Sequence, residues 1–151
     1  LLKNKTKNKI TVSKFYDETL SEIECYPGQL NQVYMNILNN AIQAMPDDRE
    51  NPEIQIYTEN VDDDTAVIRI KDNGCGIPDD VKSRIFEPFF TTKPVGVGTG
   101  LGMSISYGII EKHGGKIELN TEVDKGTEFV ITLPKSIDKA KSKEDVYSLK
   151  K

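Results

Sequence analysis

"PGQLNQVYMNILNNAIQAM", residues 27–45, sets Leu30, Val33, Tyr34, Ile37, Leu38, Ala41, Ile42 and Met45 at helical spacing on one broad face. A single apolar stripe of that width belongs to a helix lying on one layer of other structure. The opposite side is a file of uncharged amides, Gln29, Gln32, Asn36, Asn40 and Gln43, recurring every three or four residues. A solvated face ordinarily carries Lys and Glu, which form helices better than Asn. Two readings fit the file. It is a mildly polar surface, or a row of neutral side-chain oxygens facing a ligand that brings its own negative charge. Magnesium suits the second reading, because it takes one or two protein oxygens and fills its other positions with water and substrate phosphates. Asn40 is then the candidate metal ligand, with Asn36 one turn before it.

Outward from this helix, alternating apolar residues predict strands over 10–15, 21–26, 53–59, 65–71, 115–121 and 127–133. Helical spacing returns over 101–112, and "EVDKGT" (122–127) reads as a hairpin turn. The order predicts an α/β two-layer sandwich, a mixed but mainly antiparallel sheet with helices on one face. The stretch 86–100 is too rich in Gly, Pro and Thr for regular structure, and loops of that length are usually functional. The expected organisation is a basic linker over 1–9, one folded domain over 10–134 and a charged tail over 135–151.

The 151 residues carry a formal charge of −4 and a pI near 5.1, which argues against nucleic acid as a partner. The lysine-rich "KNKTKNK" and "KAKSKEDVYSLKK" read as solvated linker and tail. Cys25 and Cys75 stand far apart without a CxxC partner, the pattern of reduced thiols in a cytoplasmic setting. No apolar run reaches the ~18 residues that span a bilayer, and no signal peptide is recognised, so no direct membrane contact is expected. A membrane anchor elsewhere in a larger protein stays open.

"IRIKDNGCGIPDD" (68–80) ends a predicted strand on Asp72, followed by Gly74 and Gly76. Asn-Gly is a hairpin signal. However, Pro78 opening "PDDVKSRIF" looks like the first position of a short helix. A carboxylate at a strand end beside bare backbone can accept a hydrogen bond from an exocyclic amine while a flat ring lies over the glycines, and adenine fits. Further on, "TTKPVGVGTGLGMSISYGII" (91–110) holds Gly96, Gly98, Gly100 and Gly102 at alternate positions before an apolar helix. Neither GxxxxGK[ST] nor GxGxxG can be laid over them.

Taken together, "NQVYMNILNNAIQAM", "DNGCGIP", "RIFEPFFTTK", "GTGLGMSIS" and "GTEFVITLP" resemble, in order, the asparagine, glycine and phenylalanine boxes of sensor histidine kinases. Those kinases are two-component signalling proteins of the GHKL superfamily, and "FFTTKPVGVGTGLG" looks like the nitrogen-regulation type. The motifs span residues 28–134. The resemblance implies that Asp72 accepts from the adenine amine with help through water from Thr127, and that Gly74, Gly76 and Ile77 line the ring. It implies Mg²⁺ on Asn40 and a catalytic position for Asn36 beside the phosphates or the metal's waters. Lys93 would meet the γ-phosphate as the second catalytic residue. Gly98, Thr99, Gly100, Leu101 and Gly102 would cradle the phosphates at a helix N-terminus, where the dipole favours anions. Phe86, Phe89 and Phe90 would anchor this lid, or simply pack. The implied ligands are ATP and Mg²⁺.

The departures from the family pattern are also informative. Gln43 stands where many relatives carry a lysine, and Lys93 is the residue that could take over. His113, the only histidine, sits in "EKHGGK" as a helix-end cation before a glycine cap. It lacks the family's acceptor surroundings, so the phosphorylated histidine is expected on a separate dimerisation domain. The implied function is the ATP-binding catalytic domain of a sensor histidine kinase. Its expected partners are that dimerisation domain and a response regulator, and the isolated domain is expected to be a monomer. The alternatives are a GHKL-type ATPase and a non-catalytic nucleotide-binding regulatory module. Hydrolysing relatives place a glutamate one turn before the metal asparagine, and Asn36 occupies that position. An amide cannot serve as a general base.

Overall fold

The computed structural model describes residues 9–90 and 102–136. Five strands form one open sheet in the order β1-β2-β3-β5-β4. These are β1 (Thr11–Phe15), β2 (Glu53–Asn60), β3 (Thr65–Asp72), β4 (Lys116–Glu122) and β5 (Gly126–Pro134). Helix α1 (Pro27–Gln43) crosses between β1 and β2, which pair in parallel as a crossover connection requires. All other pairings are antiparallel. The short α2 (Asp79–Lys82) and α3 (Gly102–Lys112) lie between β3 and β4. The predicted two-layer, mixed and mainly antiparallel architecture is the one observed.

Register converts the alternation in each strand into rows across the sheet. One row is Ile68, Ile131 and Ile117, and the next is Ile56, Ile70, Phe129 and Leu119. Leu30, Val33, Ile37 and Ala41 of α1 and Met103 and Ile110 of α3 close over these rows as one core. Each fully buried Ile or Leu contributes on the order of 1.5–3 kcal/mol, which is what holds two helices to one face. The other face is solvated and carries charge. There Arg69 bridges Glu59 at 3.6 Å and Glu128 at 3.9 Å.

The next row, Ile54, Asp72, Thr127 and Thr121, still points toward the helices but has turned polar. The core ends there and the site begins.

Three expectations need correction. Residues 21–26 form no strand. Ile23 and Cys25 are half-buried, which produces the alternation, but among the described residues the segment's one backbone bond toward the sheet is Glu24 N–H to Lys135 C=O at 2.9 Å, and Tyr26 C=O accepts from Gln29 and Leu30 at the start of α1. Beside it β5 already has β3 and β4 on its two sides, so no ladder is open. The apolar stripe of α1 ends at Ala41, since Ile42 is 51% exposed. Pro78 is the N-cap of α2, with extended backbone, one position earlier than expected.

Candidate functional site

Asp72 ends β3 on the inward face and is only 6% exposed. Its Oδ1 accepts the Gly74 N–H at 2.8 Å, closing a tight turn off the strand. Burial pushes its pKa above the ordinary carboxyl value, and the N–H groups of Gly74 and Thr127 oppose the shift. The balance leaves a buried acceptor with unspent capacity, the condition for binding a donor from a ligand.

The glycines beside it serve close approach. A Cβ on Gly74 would stand 2.8 Å from the Ala44 carbonyl oxygen and 2.9 Å from Asp72 Oδ1. Gly76 has φ +73°, and its Cβ would collide with the Glu122 carbonyl. The loop is clamped from both sides. Cys75 N–H donates to Ala44 C=O at 2.9 Å, and Asp124 N–H donates to Cys75 C=O at 2.8 Å. Arg49 Nη2 adds a bond to the Gly74 carbonyl at 3.1 Å. Ile77 continues the loop, and its N–H donates to Thr121 Oγ1 at 2.9 Å.

Thr127 lies directly across from Asp72 and is buried. Its Oγ1 is 2.9 Å from Thr121 Oγ1, which also donates to Gly126 C=O at 3.0 Å. Thr121 escaped the sequence reading. The signal was present, because the inward alternation Ile117, Leu119, Thr121 turns polar opposite Thr127 across the hairpin. Arg49 offered no comparable signal, being a lone cation in a loop.

The amide file of α1 runs from this loop toward α3. Asn36 Nδ2 donates to α3, to Gly102 C=O and to Ser106 Oγ, each at 3.1 Å. Ser106 Oγ in turn donates to Gly102 C=O at 2.8 Å. Asn40 stands half-buried one turn on, and Ala44 meets the glycine loop one turn later. From Asn36 to Ala44 is about 12 Å of helix. Asn36 therefore ties α1 to the first turn of α3, while the C-terminal end of the same helix meets the loop after Asp72. Gln29 Oε1 is buried without a hydrogen-bond partner among the described residues, while Gln32 and Gln43 are exposed. Lys93, Gly98, Thr99, Gly100 and Leu101 lie outside the described residues.

Of the phenylalanines, Phe86 packs on the core with its ring 5.3 Å from Tyr107. Phe90 lies under Arg84 at 4.6 Å, and Phe89 is 74% exposed. Anchoring by Phe89 is thus corrected, since its backbone takes φ +65° and turns the ring outward. His113 is corrected too. It is buried; Tyr26 N–H donates to its Nε2 at 3.1 Å, so Nδ1 carries the hydrogen shared with Ile109 C=O at 2.8 Å. That pairing belongs to a neutral imidazole, because a doubly protonated ring has no acceptor for Tyr26.

A buried carboxylate beside clamped glycines, with an asparagine file leading to a helix start, makes up the candidate site. The chain belongs to the histidine kinase-, DNA gyrase B-, and HSP90-like ATPase family, whose model matches residues 25–137. It is 46% identical to sporulation kinase E of Bacillus subtilis (strain 168) over 117 residues, 78% of this chain and 15% of that protein. It is 44% identical to sensor kinase CckA of Brucella abortus (strain 2308), over 76% of this chain and 13% of that protein. The chain thus spans a small part of the curated relatives it matches. Among solved structures, the catalytic domain of histidine kinase ThkA superposes with a TM-score of 0.73 at 36% identity, covering 86% of this chain and 82% of that one. Fold and family together make this a histidine-kinase-type catalytic and ATP-binding domain.

Proposed function

We propose that this domain passes the γ-phosphoryl group of ATP to a histidine on a dimerisation domain of the same protein, which then serves a response regulator on the cytoplasmic side. The observation that carries the reading is Asp72, buried at the end of β3 as an acceptor, beside a loop whose Gly74 and Gly76 are packed tightly against Ala44 and Glu122. In the transfer, the histidine nitrogen forms a bond to the γ-phosphorus as the bond to the ADP oxygen breaks. Such a reaction asks the protein for positioning and charge neutralisation rather than for a strong base.

The residues divide that work along α1. Asp72 would accept from the adenine amine, with Thr127 beside it and Ile77 at the ring. Asn36 holds the start of α3 in place, and Gly102, the first residue of that helix, would meet the phosphates. Asn40, a half-buried neutral oxygen donor between the two ends, fits Mg²⁺. Among the described residues no three His, Cys, Asp or Glu side chains gather as a metal site, and Mg²⁺ held mainly by phosphates and water asks for none. Bound there, it would offset phosphate charge. Lys93 and the cradle Gly98, Thr99, Gly100 and Leu101 keep the phosphate roles that the family resemblance assigns them.

One observation favours transfer over hydrolysis, and a second bears on where the acceptor lies. Asn36 occupies the place of a hydrolase's glutamate, and its amide nitrogen is engaged with α3. His113 has both ring nitrogens engaged in the interior, which supports an acceptor elsewhere. The test is labelling with γ-labelled ATP and Mg²⁺. The chain alone is expected to take up no acid-labile phosphate, and to label a separately produced dimerisation domain. Lys93→Ala should slow that labelling. Steady release of inorganic phosphate by the chain alone, without labelling of the partner domain, would instead establish the ATPase alternative.

A further inference from the structure

We propose that Thr121 is a positioning residue for purine recognition: it holds the Thr127 hydroxyl as an acceptor beside Asp72, so that the base-reading edge accepts hydrogen and offers none. The inference rests on the reading of Asp72 and Thr127 as the adenine contacts, and it adds a residue that touches no ligand.

The argument is one of hydrogen-bond accounting. A threonine hydroxyl has one hydrogen and two lone pairs. Thr121 Oγ1 has three partners: Ile77 N–H at 2.9 Å, Gly126 C=O at 3.0 Å and Thr127 Oγ1 at 2.9 Å. A backbone N–H can only donate, which takes one lone pair. A carbonyl can only accept, which takes the hydrogen. The third contact is then a bond only if Thr127 donates its own hydrogen into the second lone pair. Thr127 Oγ1 is left with lone pairs alone.

Position makes that polarity matter. Thr121, Thr127 and Asp72 are register partners across three adjacent strands, β4, β5 and β3, in the polar row that ends the core. Asp72, when ionised, also only accepts. A 6-amino purine presents two N–H hydrogens to such an edge, directly or through a water. At the C6 position a 6-oxo purine presents a carbonyl instead, which meets acceptors only. Selectivity therefore comes from two backbone groups, Ile77 N–H and Gly126 C=O, relayed through Thr121.

The experiment measures dissociation constants of this chain for ATP and inosine triphosphate with Mg²⁺ by calorimetry. Thr121→Val keeps the β-branched shape and removes the relay. It should narrow the preference for ATP about fivefold to tenfold, because the freed Thr127 hydrogen can turn toward a 6-oxo group. Thr121→Ser should restore the preference. On a Thr127→Val background, adding Thr121→Val should leave the ratio unchanged, the non-additivity expected of one relay. Equal weakening of both nucleotides by Thr121→Val, with the ratio intact, overturns the proposal and leaves Thr121 a structural tie. Should Thr121→Val fail to fold, NMR of the unaltered chain decides through hydroxyl-proton contacts. The Thr127 proton must point at Thr121, and the reverse orientation overturns the idea. Failure of the underlying reading looks different, since the unaltered chain would then bind the two nucleotides equally and Asp72→Asn would leave ATP affinity unchanged.

Discussion

Thr127 faces Asp72 across the β3–β5 ladder, and its N–H converges with that of Gly74 on the buried carboxylate. The pair puts a charge-bearing acceptor where the apolar rows of the sheet stop. Burial raises the Asp72 pKa despite both N–H groups, so holding it ionised opposes folding in the absence of a ligand.

The sign of the pH dependence follows from that shift. With the folded pKa above 3.8, the folded state holds its proton to a higher pH than the unfolded chain. The stability attached to a protonated Asp72 is therefore complete below 3.8 and is lost as pH rises through the raised value. ATP binding runs the other way, because the amine favours the carboxylate. Affinity should fall as pH is lowered through the same window, and Asp72→Asn should flatten that dependence. Asp72→Asn should also weaken ATP at neutral pH by about 1.5–3 kcal/mol. Calorimetry across the pH range checks both expectations.

Gly76→Ala should destabilise the domain by roughly 1–3 kcal/mol or more. The substitution puts a Cβ into the Glu122 carbonyl at φ +73°. Urea unfolding should show a lower midpoint with an unchanged slope. A midpoint equal to that of the unaltered chain would mean that the loop moves off the β4–β5 hairpin at no cost.

Asn36→Ala removes both bonds that tie α1 to the first turn of α3. Amide exchange at residues 103–106 should quicken, while the β3 and β5 amides keep their protection. Uniform acceleration across the domain would mark a global loss of stability instead.

His113→Ala should cost about 1–3 kcal/mol, because Tyr26 N–H and Ile109 C=O are then left without their ring partners. Tyr26 is the N-cap of α1 and has no side-chain cap bond of its own. The loss should therefore appear as faster amide exchange at the start of α1 as well as a lower melting temperature.

Much of this molecule was legible from local pattern. The period of 3.6 over 27–45 and the period of 2 in β2 to β5 follow from how side chains leave a helix and a strand, and both survive folding because each element needs one buried face. Asp72, Gly74 and Gly76 were legible for a related reason: a carboxylate and bare backbone break an apolar alternation at a strand end. Tertiary structure alone decided the rest. Residues 21–26 alternate as a strand does, yet β5 had no free side to receive them. His113 reads as a helix-end cation until Tyr26, 87 residues earlier, spends its N–H on the ring. Asn36 and Asn40 look alike in the sequence, but only the packing of α3 engages the amide nitrogen of Asn36. Thr121 becomes part of the site only once register sets it beside Thr127. Periodicity is a property of one element and is written in consecutive residues. Hydrogen-bond partners are chosen by which elements come to lie side by side, and that is settled only when the whole core closes.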